Sequence, residues 1–179
     1  MGADKAFLEF EGRTLLARSL DILQSVTTKV YIVGSREKFA NFAPVIEDIF
    51  PGCGPLAGIH AALQSSTQEL NLMLAVDMPF VPREFLEYLF SYAQSAGDAD
   101  VIVPRSEGKR QPLSAIYRRS FAAAAESALR AGQNRIDRLF DQVRTRVIEQ
   151  SEFEAAGFSP NIFRNLNTPE EVAAARRTS

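Results

Sequence analysis

Leu72-Met73-Leu74-Ala75-Val76-Asp77-Met78-Pro79 decides the fold class. Five apolar residues, then an acid and a proline, read as a strand buried on both faces that ends at a charged edge. Pro79 stops the strand and turns the chain away. The same grammar recurs at Lys29 to Val33 (Lys-Val-Tyr-Ile-Val) and at Val101 to Val103. Runs of this kind suit a parallel sheet covered by helices on both sides.

Helical patterns fill the intervals. Leu16, Leu20, Ile22 and Leu23 share a stripe in a helix of about Leu15 to Val26, and Leu56, Ile59 and Leu63 fall at i, i+3 and i+7. A third stripe carries Phe85, Leu86, Leu89, Phe90 and Ala93, with Pro82 near its start, where a missing N–H costs little. In the second half, Ser114 to Tyr117 and Val143 to Ile148 read as strands around an alanine-rich helix, about Ser120 to Ala131, that Gly132 ends. Ile136, Leu139 and Phe140 mark a short helix. Phe163 to Leu166 reads as a last strand, and Thr168-Pro169 as the cap and first position of a terminal helix. The expectation is one α/β domain over residues 1–179, mostly parallel, with some antiparallel or irregular additions. One irregularity stands out: the first helix has no strand before it, where βαβ logic wants one.

Bulk properties narrow the function. A net charge of −2 gives no polyanion-coating surface, so no nucleic acid partner is expected. No apolar run reaches the roughly 18 residues that span a bilayer, so no membrane association is expected. Cys53 is the only cysteine, which forbids an intrachain disulfide and suits a reducing, cytoplasmic setting.

Several segments have the chemistry for a site. Asp77 falls at the carboxyl edge of the sheet, where open α/β folds place ligands. A carboxylate there suits Mg2+, which takes one or two carboxylates plus substrate phosphates; an equally good reading makes it the cap of the next helix. Pro51 to Gly58 (Pro-Gly-Cys-Gly-Pro-Leu-Ala-Gly) is a glycine-punctuated turn into a helix, suited either to anion approach near Gly54 or to a tight connection. Asp48 follows Val45-Ile46 and reads as an acceptor for a base or ribose, or as a turn-initiating aspartate. His60 and Cys53 lack partners at metal-ligand spacing. Arg105 to Gln111 reads as an anion-gripping loop or a solvated hairpin tip. Asn165 and Asn167 would share one strand face with Leu166 turned to the core.

Taken in order, Met1-Gly2-Ala3-Asp4-Lys5-Ala6, Val45-Ile46-Glu47-Asp48, Gly54-Pro55-Leu56-Ala57-Gly58, Val76-Asp77-Met78-Pro79-Phe80, Gln111-Pro112-Leu113 and Asn165-Leu166-Asn167-Thr168-Pro169-Glu170-Glu171 resemble the molybdenum cofactor guanylyltransferases, the MobA family of nucleotidyltransferases. The resemblance spans nearly the whole chain and implies a Rossmann-like fold, of the nucleotide-diphospho-sugar transferase type, that transfers GMP from GTP to the phosphate of molybdopterin. It implies Lys5 and Asp77 as catalytic residues, with Lys5 on the GTP phosphates and Asp77 holding Mg2+. Gly2, Lys5, Asp48, Gly54 and Asp77 would form the nucleotide site, and Gln111, Asn165 and Asn167 would face the molybdopterin side or the metal. GTP and molybdopterin are the implied substrates, and molybdoenzyme-maturation proteins are candidate partners.

The sequence also departs from that family. Members begin with an apolar strand and a loop close to leucine-alanine-glycine-glycine-x-serine-x-arginine, directly before the methionine-glycine that stands here at Met1-Gly2. A central strand of about five buried residues, at roughly 1.5–3 kcal/mol per large apolar side chain, outweighs typical net stability. The expectation is therefore a longer biological chain in which Met1 is internal. The family's asparagine at the end of the Lys29 to Val33 strand is absent as well. The competing readings are a cytidylyl or sugar-1-phosphate nucleotidyltransferase of the same fold, and a non-catalytic cofactor-binding remnant.

Overall fold

The computed structural model describes residues 4–176. A 3-10 turn (Lys5–Phe7) and an antiparallel hairpin, β1 (Glu9–Phe10) with β2 (Arg13–Thr14), lead into α1 (Leu15–Val26). There follow β3 (Ile32–Val33), α2 (Arg36–Phe39), β4 (Val45–Ile46), α3 (Pro55–Ser65), β5 (Leu70–Leu74) and α4 (Arg83–Ser95). The second half comprises β6 (Val101–Ser106), β7 (Lys109–Arg110), β8 (Ser114–Arg118), α5 (Phe121–Arg130), α6 (Ile136–Phe140), β9 (Thr145–Ile148), α7 (Gln150–Ala155) and α8 (Pro169–Arg176).

The helix boundaries have local causes. The Thr14 hydroxyl accepts the Ala17 N–H at 3.1 Å and so satisfies one orphan donor at the start of α1. At α3, Gly54 takes φ +69°, which a side chain would resist, and Pro55 supplies a preset φ at the first helical position. α5 stops where Gly132 enters the left-handed region at φ +72°. Thr168 caps α8 by accepting the Glu171 N–H at 3.2 Å, while the Glu171 carboxylate accepts the N–H groups of Asn167 (2.6 Å) and Thr168 (3.3 Å).

The larger sheet runs β5-β8-β6, with β9 beside β6. β8 is antiparallel to both β5 and β6, so those two run the same way, and β9 is parallel to β6. β8 is thus the antiparallel addition to an otherwise parallel set. β3 and β4 form a separate parallel pair, with Ile32 opposite Val45. Strand assignment within Lys29 to Val33 reaches only Ile32 and Val33, because its one partner, β4, is itself two residues long.

Period-two alternation divides the core between the two faces of the sheet. Val101, Val103, Ala115 and Tyr117 turn toward α3, α5 and α6, meeting Leu56, Ile59, Phe121 and Phe140. Ile102 and Ile116 turn the other way, onto Phe85, Leu86 and Leu89 of α4 with Phe153 and Phe163. On that second face α1 adds Ile22, Leu23 and Val26, and β5 adds Leu70, Leu72 and Leu74, while Met73 faces the first. A third cluster joins the beginning and end of the described chain: Phe10 and Leu15 pack with Leu166, Val172 and Ala175.

One expected strand is not a strand. Phe163 closes a 3-10 turn (Pro160–Phe163), and residues 164–168 form no ladder. Leu166 still faces the core, fully buried, because its N–H donates to the Asp77 carbonyl at 2.8 Å and its side chain fills the third cluster. Turn and capping hydrogen bonds with an apolar anchor, not sheet pairing, hold this segment.

Candidate active site

Asp77 lies two residues beyond Ala75, whose N–H donates to the Leu113 carbonyl at 2.7 Å and extends the β5–β8 ladder. The Met78 N–H returns to the Ala75 carbonyl at 3.3 Å, so Asp77 sits in a tight turn at the carboxyl edge of the sheet. It is 5% exposed. A carboxylate so deeply buried needs a partner, and Lys5 Nζ supplies one at 2.5 Å from Asp77 Oδ2. Lys5 rides on the opening 3-10 turn, which Asp4 caps by accepting the Ala6 N–H at 3.2 Å. Asp4 also receives Lys38 Nζ at 3.1 Å. Burial alone would raise the Asp4 carboxyl, but the Ala6 N–H and the Lys38 ammonium hold it below its ordinary value.

A cavity of about 600 Å3 opens beside this pair. Lys5, Asp48, Gly54, Asp77, Gln111 and Asn165 all line it. Six residues from six separate segments, singled out in the sequence, therefore converge on one space. Asp48 stands against the first turns of α3, and a Cβ built on Gly58 would meet Val33 Cγ1 at 3.3 Å and Asp48 Oδ1 at 3.6 Å. Gly58 thus lets α3 approach β3 and Asp48 closely. Among the described residues the Asp48 carboxylate has no hydrogen-bond or ion-pair partner, and burial pushes its pKa upward. Gln111 is positioned by its backbone: its N–H donates to Pro104 at 2.8 Å and its carbonyl accepts the Ser114 N–H at 3.0 Å.

Two expected residues stand apart. Gly2 lies outside the described residues. Asn167 does not line the cavity; with no strand to set a period-two face, its backbone turns instead into the cap of α8 through Glu171. Arg105 and Arg110, in the Arg105 to Gln111 segment, flank a hairpin tip and pair with Glu149 (2.9 Å) and Asp141 (2.7 Å). His60 is buried, edge-on to Phe50 with centroids 5.3 Å apart. The sequence reading missed Ser19 and Tyr31, which also line the cavity. Their signal was present: Ser19 lies on the Leu16–Leu23 stripe, and alternation in Lys-Val-Tyr-Ile-Val puts Tyr31 on one face with Val33.

Comparison with known proteins settles the lineage. Residues 1–147 match the model of the MobA-like NTP transferase domain. The chain belongs to that family. It is an enzyme, a nucleotidyltransferase. It is similar to a probable molybdenum cofactor guanylyltransferase of Halalkalibacterium halodurans, 34% identical over 96% of this chain and 89% of the relative. A protein of the same description from Pelotomaculum thermopropionicum is 34% identical over 98% and 85%. Among solved structures, the molybdopterin-guanine dinucleotide biosynthesis protein A of Archaeoglobus fulgidus superposes with a TM-score of 0.83 at 28% identity, covering 99% of this chain and 91% of that one. The 2-C-methyl-D-erythritol 4-phosphate cytidylyltransferase of Thermus thermophilus shares the fold, with a TM-score of 0.69 at 19% identity over 99% and 98%.

Nucleotidyltransferases of this family generally use a divalent metal ion. The described residues contain no group of three or more His, Cys, Asp or Glu side chains able to cage one. One buried aspartate at the mouth of an open cavity instead fits a hard cation that takes most of its ligands from substrate phosphates and water.

Proposed function

We propose that this nucleotidyltransferase transfers GMP from GTP to the phosphate of molybdopterin, forming the guanine dinucleotide cofactor and pyrophosphate. The observation that carries the reading is the Lys5–Asp77 pair at the mouth of a cavity that Asp48, Gly54, Gln111 and Asn165 share. Relatives described as probable molybdenum cofactor guanylyltransferases support guanylyl transfer to that cofactor. The chain is read as one domain that works in the cytoplasm.

Asp77 is the residue that would hold Mg2+, which, when bound, supplies charge neutralisation at the α-phosphoryl group. The Lys5 ammonium, on a half-exposed side chain beside that carboxylate, would reach the GTP phosphates. Asp48, exposed and unpaired among the described residues, accepts hydrogen bonds from the base or ribose, and Gly54 admits the nucleotide to the backbone N–H groups at the start of α3. Gln111 and Asn165 face the incoming molybdopterin phosphate. That phosphate attacks the α-phosphorus in line: a phosphorus–oxygen bond forms on one side as the bond to pyrophosphate breaks on the other. Positioning and electrostatics carry the step, and no protein nucleophile is required.

Thermal-shift titration with GTP, CTP and UTP in the presence of Mg2+ tests the reading. GTP should raise the melting temperature at the lowest concentration. A preference for CTP overturns the guanylyl assignment and leaves the family intact.

A further inference from the structure

Gln111, Pro112 and Leu113 cross from β7 to β8, and the backbone of this short segment is fastened at both ends. The Gln111 N–H donates to the Pro104 carbonyl (2.8 Å), and the Gln111 carbonyl accepts the Ser114 N–H (3.0 Å). The Leu113 carbonyl accepts the Ala75 N–H (2.7 Å). Between these ends stands Pro112, which has no N–H and can be held by a hydrogen bond only through its carbonyl. That carbonyl accepts the Tyr117 hydroxyl proton, at 2.8 Å from the phenolic oxygen.

Tyr117 is suited to act as a fixed post. It is fully buried in β8, between Asn71 of β5 and Val101 of β6, so both neighbouring strands hold its backbone. Its ring packs against Phe121 and Phe140, with centroids 5.0 and 6.3 Å away. Phenylalanine would fill the same apolar space with no polar atom to satisfy. The hydroxyl therefore adds one thing to this place in the core, its bond to Pro112. Burial, with the Asp137 carboxylate acting in the same direction, raises the Tyr117 pKa and keeps the hydroxyl a donor. Tyr117 itself does not line the cavity, whereas Gln111, Pro112 and Leu113 all do.

We propose that Tyr117 is a positioning residue for the acceptor side of the reaction: its hydroxyl fixes the Pro112 carbonyl and, through the turn, the direction in which Gln111 enters the cavity. The Gln111 side chain has little hold of its own, since Nε2 reaches only the Lys109 carbonyl at 3.4 Å, at the long limit of a hydrogen bond. Its direction is therefore set by its backbone, which the Tyr117 bond steadies from the core. The assignment rests on Gln111 facing the molybdopterin phosphate, as proposed above. Lys5, Asp48 and Gly54 stand on other segments, so the nucleotide side should not feel the hydroxyl.

Tyr117→Phe removes the hydroxyl and keeps the ring. Pyrophosphate release is measured with molybdopterin varied at saturating GTP, and then with GTP varied. Tyr117→Phe should raise the KM for molybdopterin about tenfold and leave the KM for GTP within about twofold. Gln111→Ala should raise the molybdopterin KM at least as much. Adding Tyr117→Phe to Gln111→Ala should then change nothing further, because the hydroxyl acts through that side chain. An unchanged molybdopterin KM in Tyr117→Phe beside a raised one in Gln111→Ala overturns the proposal and leaves the role of Gln111 standing. Effects that multiply in the double variant, or two KM values that rise together, overturn it in favour of a purely structural hydroxyl. No effect of Gln111→Ala removes the acceptor role of Gln111, and the proposal falls with it. Amide exchange gives a readout free of turnover: the Ser114 N–H, which closes the turn on Gln111, should exchange about tenfold faster in Tyr117→Phe, while Met73, paired with Ala115, keeps its rate. An unchanged Ser114 rate also overturns the proposal.

Discussion

Lys5 Nζ lies 2.5 Å from Asp77 Oδ2, across 72 positions of sequence, and one partner is half-exposed while the other is buried. The pair keeps a buried carboxylate from standing uncompensated, and it pins a cation and an anion to one corner of the cavity. Lys5→Ala and Asp77→Asn should each reduce pyrophosphate release by roughly 10²–10³-fold, and Lys5→Ala, which leaves the buried carboxylate without its partner, should lower the melting temperature more than Asp77→Asn does. Because the two act as a unit, the double variant should lose much less than the product of the single losses. Full turnover by Asp77→Asn would remove it from the site.

Gly58→Ala separates fold from site. Alanine is favoured over glycine in a helix by about 0.5–1 kcal/mol, and the new Cβ meets Val33 Cγ1 at 3.3 Å. Val33 borders the cavity and has room to give way, so the melting temperature should stay within about 2–4 °C of the parent. Asp48 Oδ1, at 3.6 Å, is in ordinary van der Waals contact with that Cβ and need not move. The concentration of GTP needed for half-maximal thermal shift should therefore stay the same for Gly58→Ala and rise for Asp48→Ala, and an unchanged midpoint in Asp48→Ala would show that Asp48 does not touch nucleotide.

Leu166→Ala should destabilise the chain by about 2–5 kcal/mol, since the side chain is fully buried in the third core cluster. The same residue holds the Asp77 turn through its N–H. A cavity at this place should therefore lower turnover at temperatures where the variant is still folded. Chemical denaturation with a parallel activity assay reads both effects.

His60 gives a pH dependence of known sign. Burial lowers its pKa, with Glu126 (3.9 Å) raising it and Arg130 lowering it in smaller measure. The folded value thus lies below the ordinary 6.5, so the unfolded chain binds a proton first as pH falls. Stability from neutral His60 is present above about pH 6.5 and is lost as pH drops toward the folded value. Denaturation midpoints at pH 7.5 and 5.5 should differ more for the parent than for His60→Leu. As the only histidine of the sequence, its ring resonances follow the titration directly.

The elements with strong periodicity were legible in the sequence. α1 spans Leu15–Val26 as its leucine stripe and the Thr14 cap dictate, and Asp77 falls just past β5 because Pro79 ends the apolar run. Phe163 to Leu166 misled because two buried residues three apart fit a 3-10 turn followed by an anchor as well as a short strand. Convergence of Lys5, Gln111 and Asn165 was not legible from spacing, since it depends on β8 lying between β5 and β6. The family resemblance singles out Lys5 and Gln111, while period-two spacing also points to Asn165.

β8 changes which parts of the chain have access to the active-site mouth. In an all-parallel sheet only segments that follow a strand reach the ligand edge. Reversal of β8 places Ser114 opposite Leu74, so the segment that precedes this strand, with Gln111 and Leu113, arrives at the same edge as Asp77. The hairpin tip at Glu107 and Gly108 lies on the far side of β7, outside the cavity lining. Under the proposed assignment, recognition of the acceptor and of the nucleotide falls to different segments that meet at one ladder bond, Ala75 N–H to Leu113, so the hairpin tip at residues 107–108 can change while that bond keeps the turn that holds Asp77 in place.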